Sequence, residues 1–199
     1  MRSRQRGEET RNRILDAALD CFARYGYDAT GVAEICQCAG VTKGGFYHHF
    51  SSKQAVFLEL LERWLKGLDA RLEQIRSGAE TVPEELLRMT TMVRQVFHDA
   101  GGKLPIFLEF LTKAGQSPVV WQATVAPFRR YHGFFAGMIE AGIAEGSLGP
   151  VDPALGSHLL LAFAVGLLAL GLLDPHGADW GQVAQEGMKI LLRGLESEE

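Results

Sequence analysis

The chain's 199 residues suffice for one large domain or two small ones, and its net charge of −4 gives no sign of a broad basic surface for nucleic acid. The charge is uneven, however: residues 1–53 carry +2 and residues 54–199 carry −6, which fits a polyanion-reading head on an acidic body. The three cysteines, an odd number all in predicted helices, argue against a disulfide framework and for a reducing compartment, and the opening MRSRQRGEE has no apolar core to suggest a secretory leader.

Residues 1–8 are expected to form a disordered arm, in which Arg2, Arg4 and Arg6 suit a DNA minor groove or simply solvent. A first helix is predicted over 9–25, with Ile14, Leu15, Ala18, Leu19 and Phe22 as its apolar stripe and Gly26 as its stop. Thr30 is expected to cap a second helix, whose Val32, Ile35, Cys36 and Ala39 share an apolar side. Gly40 then supplies a left-handed end, and Thr42 caps a third short helix carrying Lys43, Tyr47 and His48. This is the pattern of a helix-turn-helix, whose second helix enters the major groove of DNA. Gly44 and Gly45 sit inside that helix at a cost of roughly 1 kcal/mol each, which close approach to DNA would explain. A Gly-rich turn between two core helices is the plainer alternative. Cys36 and Cys38 point to different sides of the second helix, so they make a poor metal pair, and redox sensing has little support. Ser51 and Gln54 are expected to form a capping box for a fourth helix over 52–77, with Lys53 in its first turn, where the helix end already favours an anion.

Residues 10–57 resemble the DNA-binding domain of the tetracycline-repressor (TetR) family, through ILDAALDCFARYGYDAT at 14–30 and AGVTKGGFYHHFSSKQAVF at 39–57. The resemblance covers about a quarter of the chain. It implies that Thr30 touches a phosphate, that Lys53 clamps another, and that Thr42, Lys43, Gly44, Gly45, Tyr47 and His48 face the DNA. It further implies that the protein acts as a dimer on a palindromic operator and that an effector releases it.

Beyond residue 53 the punctuation continues to mark helices. Thr81 and Glu84 flank Pro83 at the start of a helix expected to reach about Ala100, stopped by Gly101 and Gly102. A short apolar helix follows over 104–114, then a long one from Ser117-Pro118 to about Glu145, which Pro127 is expected to kink. Asp152-Pro153 opens another that ends at Asp174-Pro175, and Asp179 with Gln182 caps the last, over 180–195. The expected fold is therefore all-α with about nine helices. A helix-turn-helix DNA-binding domain (1–53) precedes a helical effector-binding and dimerisation domain (54–199).

Residues 154–173 carry no charge and are long enough to span a bilayer. Ser157, His158 and three glycines lower their hydrophobicity, and no Lys/Arg cluster flanks them, so a buried soluble helix is expected and no membrane partner. A second copy of the chain is the natural cover. Leu159, Ala162, Phe163, Gly166 and Leu170, with Val183, Gly187, Ile190 and Leu191 of the last helix, are the expected two-fold interface.

The body's aromatic and methionine side chains suit an apolar effector: Trp64, Met89, Met92, Phe97, Phe107, Phe110, Trp121, Phe128, Phe134 and Met138. Plain core is the competing reading of each. His98, Glu109, His132 and His158 are the polar groups available to orient a ligand. No nucleophile elbow, HExxH, phosphate loop or Cys/His metal set is present, and His48 and His49 are wrongly spaced for one metal, so neither catalysis nor a cofactor is expected. The rival to a small effector is a body that binds a protein partner or no small ligand.

Overall fold

The computed structural model of the protein describes residues 2–76, 78–93, 96 and 104–195. Among these residues the fold is all-α, with nine helices and no strand. They are α1 (Arg2–Tyr25), α2 (Val32–Ala39), α3 (Lys43–His49), α4 (Lys53–Arg76), α5 (Val82–Met89), α6 (Leu104–Ala114), α7 (Pro118–Ala144), α8 (Pro153–Leu173) and α9 (Trp180–Arg193).

Most boundaries follow from local chemistry. Gly26 ends α1 with φ 79°, and Gly40 ends α2 with φ 64°. The Asp152 carboxylate accepts from the Ala154 and Leu155 N–H groups at 2.8 and 3.4 Å, and Asp179 accepts from Gln182 N–H at 3.0 Å, so α8 and α9 begin where acidic caps were expected. Pro127 lies inside α7.

Four expectations need correction. The supposed arm at 2–8 is helical and continuous with α1. The cap of α4 is Ser52, whose Oγ accepts from Ala55 N–H at 3.1 Å, while Gln54 donates to Ser117 Oγ at 3.2 Å in place of completing a box with Ser51. Helix α5 stops at Met89, where Thr90 folds its hydroxyl onto the Leu87 carbonyl at 2.6 Å, and helical residues resume at 91–93 and at 96. Gly101 and Gly102, its expected stop, lie outside the described residues. Thr30 does not cap α2: its hydroxyl donates to the Gly26 and Cys21 carbonyls at 2.8 and 3.3 Å, and the Glu34 carboxylate accepts from the Gly31 N–H instead.

The chain packs as two compact units, residues 1–66 with 102–123, and residues 67–101 with 124–199. The division expected at residue 53 thus falls inside the first unit, which also takes in α6 and the start of α7. Helices α4 and α7 each contribute to both units. The first unit's core joins Ile14, Leu15, Ala18 and Phe22 of α1 to Ile35, Phe46, Val56 and Phe57, and then to Ile106, Phe110 and Val120. Phe57 lies at its centre, stacked on Phe110 with ring centroids 4.0 Å apart and edge-on to Phe22 at 5.8 Å. Phe110→Ala should therefore destabilise the head, by about 3–5 kcal/mol in chemical denaturation, although residue 110 is far from the helix-turn-helix in sequence.

In the second unit, Leu86, Met89, Met138, Ile139, Leu160, Leu167 and Met188 are buried. Helices α8 and α9 meet where a Cβ on Gly187 would stand 2.6 Å from the Phe163 ring, so Gly187 lets that ring lie against the backbone. Tyr131 of α7 donates to Asp69 of α4 at 2.6 Å, and Arg130 pairs with the same carboxylate at 2.8 Å. Burial, with Asp69 beside it, pushes the Tyr131 phenol up to about 12.

Candidate nucleic-acid interface

The turn between α2 and α3 is built by backbone geometry. With Gly40 left-handed, the Val41 N–H reaches back to the Cys36 carbonyl at 3.0 Å and the Gly40 N–H to Gln37 at 3.3 Å. Thr42 caps α3 as expected, its Oγ accepting from Gly45 N–H at 3.0 Å. Phe46 is the inward anchor of α3. Its fully buried ring sits 6.0 Å from Phe50 and 5.3 Å from Tyr47. With that residue fixed, helical spacing turns Lys43, Gly44, Tyr47 and His48 outward, and all four are exposed. Tyr47 is 55% exposed, a large aromatic surface left in water on a short helix. Six of the eight residues expected to read DNA (Thr42, Lys43, Gly44, Gly45, Tyr47 and His48) thus lie on α3 or its cap.

The other two face inward. Thr30 is 1% exposed with its hydroxyl committed to two carbonyls, so its side chain has nothing left to offer a phosphate in this arrangement. Lys53 is the larger correction. Its ammonium donates to the Tyr27 and Thr30 carbonyls at 2.6 and 2.7 Å, lies 3.5 Å from that of Asp28, and stands 4.3 Å above the Tyr27 ring. Three N–H groups and three carbonyls leave no donor spare for a phosphate clamp, so Lys53 closes the loop between α1 and α2.

That loop is held from a second side, in a way not visible in the sequence. Both Glu109 oxygens of α6 accept from the Tyr27 N–H at 2.9 Å, and Lys113 pairs with Asp28 at 2.5 Å. Glu109 is therefore spent inside the first unit, where it anchors the loop, and is not available to orient a ligand. Burial, then Asp28 and Glu109, raises the Tyr27 phenol above its ordinary range. Arg11 was also missed. It forms a two-pronged pair with Glu59 of α4 at 2.5 and 2.8 Å, and its guanidinium lies 4.5 Å over the Phe50 ring, so it fixes α1 against the segment that follows α3.

The expected effector residues fall into both units. Trp64, Phe110 and Trp121 belong to the first, where Phe110 is core and Trp121 is 47% exposed. Met89, Met92, Phe128, Phe134, Met138 and His158 belong to the second, with both Met89 and Met92 buried and Phe128 44% exposed. Phe97, His98 and the side chain of Phe107 lie outside the described residues. His132 and His158 meet each other, Nε2 to Nδ1, at 3.1 Å. Among the described residues no group of three or more His, Cys, Asp or Glu is arranged to hold a metal.

Helix α8 is long and apolar enough by composition to cross a membrane. Much of it is exposed in the single chain. Leu155, Leu159, Ala162, Leu170 and Leu173 recur at helical spacing along one side, Leu173 at 81% exposure, and Val183 and Ile190 of α9 are exposed as well. A Cβ on Gly166 would meet nothing. Phe163 and Gly187, two of the expected interface residues, are already engaged with each other within the chain.

Residues 14–60 match the model for bacterial regulatory proteins of the tetR family. The transcriptional regulator UidR of Escherichia coli K12 is 26% identical over 191 residues, covering 94% of this chain and 93% of that protein. Among solved structures, the Bacillus subtilis regulator FadR, in complex with stearoyl-CoA, superposes with a TM-score of 0.80 at 20% identity, over 92% of this chain and 98% of that one. A Saccharomonospora viridis regulator in complex with choline gives 0.80 at 22% identity, over 94% and 96%. These two structures share the fold.

Proposed function

Since this chain belongs to the TetR family of transcriptional regulators, we propose that it binds a palindromic operator as a homodimer, in the cytoplasm, and represses until a small effector releases it. The observation that carries the DNA-reading part is the exposed face of α3. Lys43, Tyr47 and His48 point to solvent from a helix pinned by the buried Phe46. A Lys and a His suit base edges and phosphates, and Gly44 and Gly45 let the backbone approach closely. Dimerisation is supported by the apolar side of α8 and α9, which water covers poorly in one copy. The effector reading is supported by the likeness in fold to regulators bound to stearoyl-CoA and to choline, one offering a long apolar chain and the other a cation. Such a ligand would act by its different affinity for two arrangements of the helices that both units share, α4 and α7, typically worth about 1–3 kcal/mol.

The test is selection of bound sites from a randomised duplex pool. Wild type should enrich an inverted repeat, and Lys43→Ala and His48→Ala should each enrich a changed half-site at an affinity cost of about 1–3 kcal/mol. Identical enriched sites from all three proteins would remove α3 from base reading.

A further inference from the structure

The first unit contains a pair of sulfur atoms that the DNA-reading role does not use. Cys21 of α1 and Cys38 of α2, seventeen residues apart in sequence, lie with their sulfurs 3.5 Å apart. They differ in access: Cys21 is buried and Cys38 is exposed. Cys36, also buried, is not part of this contact. We propose that Cys21 and Cys38 form a reversible, oxidant-sensitive disulfide that weakens DNA binding, with hydroperoxides as the oxidant class.

The chemistry assigns each sulfur a role. The exposed Cys38, as thiolate, attacks the terminal oxygen of a hydroperoxide. The O–O bond breaks, the remaining oxygen leaves as hydroxide or alkoxide, and Cys38 becomes a sulfenic acid. Cys21 sulfur then attacks Cys38 sulfur. The S–O bond breaks, the hydroxyl takes the Cys21 proton, and water leaves as the S–S bond forms. Burial, together with the neighbouring Cys38, pushes the Cys21 thiol up to about 11, so Cys21 waits as a thiol and serves as the resolving partner, not the first target. A dithiol returns the two electrons and restores both thiols.

The structural consequence follows from bond length. The sulfurs must close from 3.5 Å to about 2.05 Å. Both helices pack into the same core, α1 through Ile14, Leu15, Ala18 and Phe22 and α2 through Ile35, Cys36 and Ala39, but α1 has 24 residues and α2 only eight. The shorter helix moves more readily, and it leads directly through 40–42 into α3. A shift of α2 is therefore delivered to the reading helix. The effect on DNA rests on the reading of α3 given above, but formation of the disulfide does not.

The experiment treats the full chain with hydrogen peroxide and maps peptides under non-reducing conditions, beside titration of the duplex selected above. The expected result is a Cys21–Cys38 cross-link with Cys36 still free, and at least a tenfold loss of affinity that dithiothreitol reverses. Cys38→Ser, at an exposed position, should form no cross-link and keep its affinity under peroxide. Sulfinic acid at Cys38 without a cross-link, a cross-link through Cys36, or a Cys21–Cys38 bond that leaves affinity unchanged would each overturn the proposal. If reduced wild type selects no duplex, the DNA reading fails while the peptide map still decides whether the disulfide forms.

Discussion

Lys53→Ala should lower the stability of the first unit by about 2–3 kcal/mol while leaving the salt dependence of DNA binding unchanged. The expectation comes from where the ammonium's donors go. They reach the Tyr27 and Thr30 carbonyls at 2.6 and 2.7 Å, with Asp28 at 3.5 Å and the Tyr27 ring 4.3 Å below. Removing the side chain strands carbonyls in a partly buried loop that otherwise relies on Glu109 and Lys113. A phosphate clamp predicts the reverse, with stability kept and the slope of log K against log salt reduced by about 1. Denaturation and salt titration of one variant separate the two roles.

Leu170→Glu should turn the protein into a folded monomer at micromolar concentration by sedimentation equilibrium, and weaken binding to a two-half-site duplex by about 10²–10⁴-fold. Leu170 is exposed in the single chain, so a carboxylate there disturbs no intramolecular packing. Placed in an interface between two copies, it meets apolar surface and its own symmetry mate. Ile190→Glu on α9, at 68% exposure, should do the same independently. Dimers that persist in both variants would move the interface elsewhere on the molecule.

The parts of this structure that were legible in the sequence are those decided within a few residues. Gly40 and Thr42 define the turn because a left-handed residue and a side-chain cap act on backbone two to five positions away. Asp152 and Asp179 mark helix starts for the same reason. The outward set on α3 was readable from its polar and aromatic residue types, whereas Phe46, which fixes that face from within, was not singled out. What escaped was long range. The link between Lys53 and residues 27–30 spans more than twenty positions and that between Glu109 and Tyr27 spans 82, so a lysine in a first helical turn looked like an anion site and a body helix looked separate from the head. Phe110 looked like a pocket wall because aromatic spacing on α6 carries no sign of which unit it faces. The approach of Cys21 to Cys38, seventeen positions away, escaped notice because only Cys36 and Cys38, close in sequence, were weighed as a pair. Ser51 and Ser52 show the smaller error that adjacent cap candidates produce, a shift of one residue with a different partner for Gln54.

In the proposed function α3, presented twice by a two-fold dimer, reads DNA. DNase footprinting of the wild-type protein on the DNA flanking its own gene tests it most directly. The expected result is protection of two inverted half-sites whose centres lie about 34–36 Å apart, one turn of the double helix, so that two copies of α3 enter successive major grooves. Protection should weaken uniformly in Tyr47→Phe and be lost together at both half-sites in Leu170→Glu. Full protection by Leu170→Glu, or a single half-site protected by wild type, would contradict it.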